Sequence, residues 1–86
     1  MEGPLTIKVY SRQGCHLCDI AIHTLKEYIE KRVEIPIELK VIDIDLDQEL
    51  KNRFNDLVPV IFIEDELFDY YGVNLEEFEN KLNKFI

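Results

Sequence analysis

The chain has 86 residues and a formal net charge of −8, so we expect one domain, residues 1–86, with a single hydrophobic core. This acidity argues against binding to nucleic acid or to an anionic membrane surface, since phosphate groups require clustered Lys and Arg. No apolar run approaches the roughly 20 residues that cross a bilayer, and the first four residues do not resemble a signal peptide. We therefore expect a globular protein of the cytoplasm, and we take a monomer as the working expectation.

The first predicted elements are a strand and a long helix. Apolar and polar residues alternate from Leu5 to Tyr10, which predicts a strand with one buried face. Residues 11–14 follow as a loop, in which Gly14 permits unusual backbone angles. From His16 to Lys31 the apolar residues recur at helical spacing, which predicts an amphipathic helix. Its expected buried stripe consists of Leu17, Ile20, Ala21, Leu25, Tyr28 and Ile29.

A second strand and a short helix are predicted next. The alternation of apolar residues from Ile37 to Ile42 is typical of a strand. Asp45 and Gln48 have the spacing of a capping box, which predicts a helix that reaches Asn55. We expect this helix to bury Leu46, Leu50 and Phe54.

The last third of the chain predicts a hairpin and a closing helix. Val60–Ile63 is a continuous apolar run, as in a strand buried on both faces. Glu64–Glu66 then forms a polar turn before a returning strand, Leu67–Tyr70. Asn74 and Glu77 have the spacing of another capping box. The expected apolar stripe of this last helix consists of Leu75, Phe78, Leu82 and Phe85.

The element order is thus β-α-β-α-β-β-α. Its first half is a βαβ unit, in which the two strands should be parallel and the crossover right-handed. Its second half ends in a hairpin followed by a covering helix. This order predicts an α/β fold, in which a four-stranded mixed sheet is flanked by helices on both faces.

Two cysteines lie where the first loop turns into the first helix. A helix N-terminus presents unpaired N–H groups and a partial positive charge. The pKa of Cys15 should therefore fall below the value of about 8.5 of a free thiol. Cys18 lies one turn further on, within reach of a mixed disulfide formed at Cys15. This arrangement predicts Cys15 as the nucleophile and Cys18 as the resolving thiol.

Two basic side chains near the cysteines are candidates for tuning this chemistry. His16 directly follows Cys15 and would stabilise its thiolate when protonated. Arg12 would add positive charge from the loop. Metal binding is the competing use of the cysteines, but a structural zinc site normally needs four ligands and the chain has only one Cys pair. A metal or iron–sulfur cluster shared between two chains stays open as an alternative.

The strand, the Cys-X-X-Cys at a helix start and the later Val58–Pro59 step together resemble the thioredoxin-fold redoxins. The element lengths resemble the short glutaredoxin-like proteins of bacteria over about residues 5–85. The resemblance implies a cis Val58–Pro59 bond, with Pro59 packed near Cys15 and the backbone of Val58 paired with an extended substrate. It also places Arg12 at a position that is commonly Lys or Arg in the family. Arg12, His16, Val58 and Pro59 are therefore the residues expected around the substrate.

Two segments differ from the usual glutaredoxin pattern. The cysteines enclose His16–Leu17, where glutaredoxins usually have Pro-Tyr. Residues 69–74 replace the Gly-Gly segment and acidic residue that grip glutathione. Tyr70 and Tyr71 within them are candidates to line the groove, but we expect at least one of them to pack in the core. The reductant is therefore left open between glutathione and thioredoxin reductase.

The sequence as a whole predicts a thiol–disulfide oxidoreductase that acts on protein or small-molecule disulfides without a bound cofactor or metal. Two other functions stay open. One is a metal or iron–sulfur module that uses the same cysteines across a dimer. The other is a non-catalytic interaction scaffold, for which the groove beside Val58–Pro59 would bind a partner without turnover.

Overall fold

The helices and strands follow the predicted order, and the computed structural model describes residues 3–86. The strands are β1 (Leu5–Ser11), β2 (Ile37–Asp43), β3 (Val60–Ile63) and β4 (Glu66–Tyr70). The helices are α1 (His16–Lys31), α2 (Gln48–Phe54) and α3 (Leu75–Leu82), with short 3-10 helices at Ile44–Leu46 and Asn83–Phe85. Met1 and Glu2, which the predicted domain includes, lie outside the described residues.

The four strands form one mixed sheet in the order β2-β1-β3-β4. β1 and β2 run parallel, with Leu5 opposite Ile37. β3 is antiparallel to both β1 and β4. The predicted α/β class and its four-stranded mixed sheet are confirmed. Within residues 3–86, no helix has the length and apolar character needed to cross a membrane.

The main core lies between the sheet and the helices α1 and α3. Its buried members are Ile7, Val9, Ala21, Leu25, Ile61, Ile63, Phe78 and Leu82. Phe78 is fully buried and meets the rings of Tyr28 and Phe68 edge-on, with centroids 5.5 Å away in each case. The predicted stripe of α1 is wrong at its start, because Leu17 and Ile20 are about half exposed. Cys18 and Ala21, each 1% exposed, occupy the buried side of these first turns instead.

A smaller core lies under α2, on the other face of the sheet. Phe54 packs there with Ile44 and Val60, and its ring centroid lies 4.9 Å from that of Tyr10. Leu50 is partly buried against the same cluster. The two clusters show that helices cover both faces, as predicted.

The predicted start of α2 is wrong by two residues. The carboxylate of Asp47, not that of Asp45, accepts the N–H groups of Glu49 and Leu50, at 2.9 and 3.2 Å. A separate 3-10 helix precedes it, in which Asp43 accepts the N–H of Asp45 at 2.9 Å.

The same 3-10 helix overturns the predicted burial of Leu46. Its turn directs Ile44 into the core with no exposed surface. Leu46, two residues later, points outward and is 85% exposed. The prediction that Leu46 is buried is therefore wrong, and Ile44 fills the core in its place.

The C-terminal elements agree with the sequence more closely. Asn74 caps α3, because its side-chain oxygen accepts the N–H of Glu77 at 3.0 Å. Leu75, however, is 37% exposed and not part of the buried stripe. β4 begins at Glu66, because Glu66 already pairs with Ile63, so the turn is shorter than predicted.

Candidate active site

The turn between β1 and α1 places Cys15 at the start of the helix. Gly14 has a φ of 81°, which reverses the chain at little steric cost, and the N–H of Cys15 donates to the carbonyl of Arg12 at 3.3 Å. Cys15 is the N-cap residue of α1, and its Sγ accepts the N–H of Cys18 at 3.1 Å. The sulfur therefore lies against the unpaired amide end of the helix.

The two cysteines are joined as a disulfide but differ in exposure. Their Cα atoms are 5.2 Å apart. Cys18 is 1% exposed and belongs to the core, whereas Cys15 is only partly buried. A substrate sulfur can approach Cys15, and Cys18 is shielded behind it.

The Val58–Pro59 step lies at the same end of the two central strands, β1 and β3, as the turn that carries Cys15. Tyr10 pairs with Val60 across β1 and β3, so the segment before β3 lies beside the turn that follows β1. The Val58–Pro59 bond is cis, and Pro59 is buried. Within residues 3–86, no backbone hydrogen bond joins Val58 to another residue. In the described residues, its N–H and C=O thus have no backbone partner.

Tyr71 lies next to this step and outside the core. Its N–H donates to the carbonyl of Pro59 at 2.7 Å and to that of Leu57 at 3.3 Å, and its φ is 71°. Tyr71 is 54% exposed and Tyr70 is 36% exposed, with their ring centroids 6.3 Å apart. The expectation that at least one of these tyrosines packs in the core is therefore wrong.

The guanidinium of Arg12 contacts Asp45 and Asn55, and its expected place beside the substrate stays a prediction. Its Nη2 and Nε donate to the two carboxylate oxygens of Asp45, at 2.7 and 3.3 Å. Its Nη1 donates to the backbone carbonyl and to the side-chain Oδ1 of Asn55, at 2.9 and 2.8 Å. These contacts raise the pKa of Arg12, chiefly through the hydrogen bond to Asp45, and the same bond lowers the pKa of Asp45. The guanidinium thus joins the loop after β1 to the 3-10 helix and to the end of α2.

His16 is the first residue of α1, and its side chain is exposed. Its predicted effect on the sulfur of Cys15 stays a prediction. Among residues 3–86, no three His, Cys, Asp or Glu side chains are grouped as metal ligands. A metal held by Cys15 and Cys18 would need ligands from elsewhere.

A family model described as a glutaredoxin-like domain (DUF836) matches residues 6–83. The chain belongs to this family. The resemblance inferred from the cysteine spacing and the Val-Pro step is thereby confirmed. No curated protein matches the chain significantly.

Solved structures place this glutaredoxin-like domain in the thioredoxin fold. The protein Ne2328 from Nitrosomonas europaea is 34% identical, with a TM-score of 0.76 and 94% of each chain covered. SA0789 from Staphylococcus aureus, a protein of unknown function, is 18% identical, with a TM-score of 0.70 over 95% of this chain and 91% of that one. The thioredoxin Deadhead from Drosophila melanogaster is also 18% identical, with a TM-score of 0.62 over 96% and 82%. The last two likenesses concern the fold alone.

The family, the fold and the cysteine pair together fit a redox role for this glutaredoxin-like domain. Sequence reasoning missed three contacts of the site. Asn55 and Asp45 were not recognised as partners of Arg12, and Tyr71 was not recognised as a partner of Pro59. Contacts of this kind join distant parts of the chain, so no local pattern marks them.

Proposed function

We propose that this chain is a dithiol oxidoreductase that reduces protein or small-molecule disulfides through Cys15 and Cys18, without a bound cofactor. One observation carries the proposal. The accessible sulfur lies at the amide end of α1, 3.1 Å from the N–H of Cys18, and its disulfide partner is buried behind it. This asymmetry suits a pair in which one thiol attacks and the other resolves.

The reaction proceeds in two exchanges. The Cys15 thiolate attacks one sulfur of the substrate disulfide, a Cys15–substrate bond forms, and the other substrate sulfur leaves as a thiolate that takes a proton from water. The thiolate of Cys18 then attacks Sγ of Cys15 and releases the second substrate thiol. The substrate gains two electrons, and the enzyme is left with the Cys15–Cys18 disulfide. Two electrons from a dithiol or from a reductase restore the reduced pair.

The position of Cys15 favours its ionised form. The N–H of Cys18 and the other free amides at the helix end stabilise negative charge on sulfur, as does a protonated His16. Such pairs have reduction potentials of roughly −200 to −270 mV, which suits a reductant in the cytoplasm. Glutathione and thioredoxin reductase are the two candidate electron donors.

The substrate is proposed to lie along Val58. The free N–H and C=O of this residue would pair with an extended segment beside the substrate disulfide, in the manner of an added strand. Pro59 has no N–H, so it does not compete for an acceptor on that segment. A monomer suffices for this arrangement, because both cysteines and Val58 come from one chain.

The test is reduction of insulin by the full chain, with dithiothreitol as the recycling reductant. Cys15→Ser should reduce at the rate of dithiothreitol alone, because the attacking sulfur is absent. Cys18→Ser is the matched control, since it keeps Cys15 and, once reduced and freed of dithiothreitol, should form a covalent enzyme–substrate species with insulin. Equal rates for the native protein and Cys15→Ser would refute the proposal. Replacing dithiothreitol by glutathione with its reductase, or by thioredoxin reductase, identifies the physiological donor.

A further inference from the structure

Arg12 is bonded at both its backbone and its side chain. Its carbonyl accepts the N–H of Cys15 at 3.3 Å, within the turn that carries the attacking sulfur. Its guanidinium leaves that turn and makes hydrogen bonds to Asp45 and Asn55, at distances as short as 2.7 and 2.8 Å. Only 26% of the Arg12 side chain is exposed. One residue therefore connects the active-site turn to two distant segments.

One of these segments leads directly into the proposed substrate-binding strand. Asn55 follows α2, within a turn closed by the N–H of Leu57, which donates to the carbonyl of Phe54 at 2.9 Å. Val58 is the next residue after that turn. The other segment is the 3-10 helix that contains Asp45. The position of the turn at Asn55 thus determines where Val58 lies relative to the active-site turn.

We propose that Arg12, Asp45 and Asn55 form a clamp that holds the Cys15 turn and the Val58–Pro59 segment in the register that an extended peptide disulfide requires. Arg12 is then a positioning residue and does not tune the thiolate through its charge. The inference rests on the proposed function, because it concerns the substrate of the same site.

The charges around Arg12 support a geometric role. The carboxylates of Asp43, Asp45 and Asp56 all act on the guanidinium, and Asp45 is in direct contact with it. The guanidinium charge is therefore offset by a carboxylate in direct contact with it, at 2.7 Å. The planar fork, in contrast, makes four hydrogen bonds at fixed angles, which a lysine ammonium cannot reproduce. Loss of the guanidinium hydrogen bonds should therefore change the position of the Val58 segment more than the charge near Cys15.

The test uses two variants that leave the formal charge unchanged. Arg12→Lys keeps the cation but loses the fork, and Asn55→Ala removes one acceptor. The substrate is a disulfide-linked dimer of a short cysteine peptide, and dithiothreitol is the reductant. We expect Arg12→Lys to raise KM about tenfold and Asn55→Ala to raise it less, with kcat retained, as follows from the loss of one to several hydrogen bonds. The pH midpoint for alkylation of reduced Cys15 by iodoacetamide should stay at its native value in both.

Arg32→Lys is the matched control, because Arg32 also makes several contacts through its fork, to Glu34, Glu79 and Tyr28, but at the other end of α1. It should leave KM unchanged even if it lowers the melting temperature as much as Arg12→Lys does. An unchanged KM in Arg12→Lys, an equal rise in Arg32→Lys, or a shifted alkylation midpoint in Arg12→Lys would overturn the clamp. The proposed function fails separately, through an active Cys15→Ser.

Discussion

The N–H of Tyr71 donates to the carbonyl of Pro59 at 2.7 Å, and this bond is made from a left-handed backbone conformation with a φ of 71°. Residues other than glycine adopt this conformation at a cost of roughly 1–2 kcal/mol. The bond joins the residue after β4 to Pro59, which directly follows the proposed substrate-binding residue Val58. The conformation of Tyr71 therefore bears on the position of Pro59.

Two substitutions of Tyr71 separate the effect of its hydrogen bond on stability from the effect of its left-handed backbone conformation. Tyr71→Gly keeps the N–H and relieves the backbone, so we expect the free energy of unfolding to rise by up to about 1 kcal/mol. Tyr71→Pro removes the N–H and cannot adopt a positive φ, so we expect a loss of about 2 kcal/mol or more. Urea denaturation measures both. Tyr70→Gly, in the strand, is the control and should destabilise by about 0.5–1 kcal/mol; a gain in stability there would contradict the explanation.

The sequence pattern predicts that both Phe78 and Leu46 are buried, but the structure predicts very different losses of stability when each is replaced by alanine. Phe78 is fully buried between two aromatic rings, so Phe78→Ala should lower the free energy of unfolding by about 3–5 kcal/mol. Leu46 is 85% exposed, so Leu46→Ala should change it by less than about 0.5 kcal/mol. Denaturant midpoints at constant m-value provide the measurement. Truncation of a buried leucine to alanine costs about 2–5 kcal/mol. A loss in this range for Leu46→Ala would show that Leu46 is buried.

The strands could be predicted from the sequence because each has a local pattern. Alternation located β1 to within one residue of its end, and the continuous apolar run gave β3 its observed bounds, Val60–Ile63. The cysteine pair could also be recognised from the sequence, because its proposed role depends on the helix that begins directly after Cys15. Local order along the chain carries all three inferences.

The clamp and the start of α2 could not be predicted in this way. Arg12 and Asp45 are 33 residues apart, and Arg12 and Asn55 are 43 apart, so their contacts depend on the completed fold. Asp43, Asp45 and Asp47 are all suitable N-cap residues, and the sequence does not rank them. Asp45 is bonded to Arg12 instead, which leaves Asp47 as the cap of α2.

The cap assignment can be tested directly. Asp47→Ala removes the acceptor for the N–H groups of Glu49 and Leu50, so we expect a loss of about 1 kcal/mol in the free energy of unfolding. Asp47→Asn keeps a capping oxygen and should recover most of this loss. If alanine and asparagine give the same stability, the carboxylate of Asp47 does not cap the helix.

The bond between Arg12 and Asp45 also predicts a pH dependence. Hydrogen bonding to Arg12 lowers the pKa of Asp45 below its ordinary value of 3.8. A folded-state pKa below the unfolded one contributes stability above the unfolded value, and this contribution disappears as the pH falls through the folded value. The native protein should therefore lose more stability below pH 3.8 than Asp45→Asn does. Parallel stability profiles for the two proteins, from urea denaturation at each pH, would show that Asp45 contributes no such dependence.

The unpaired backbone of Val58 makes the last prediction, which concerns the substrate and leaves the enzyme unchanged. If an extended peptide pairs with Val58, methylation of the peptide nitrogen that donates to its C=O removes one hydrogen bond. Such a bond contributes about 0.5–1.5 kcal/mol, so kcat/KM for the disulfide-linked peptide should fall about twofold to twelvefold. Bis(2-hydroxyethyl) disulfide has no peptide backbone and serves as the reference substrate, which reports on the reactivity of Cys15 alone. Equal kcat/KM for the methylated and unmethylated peptides, with methylation tested at each nitrogen beside the disulfide, would mean that the substrate does not bind as a strand along Val58.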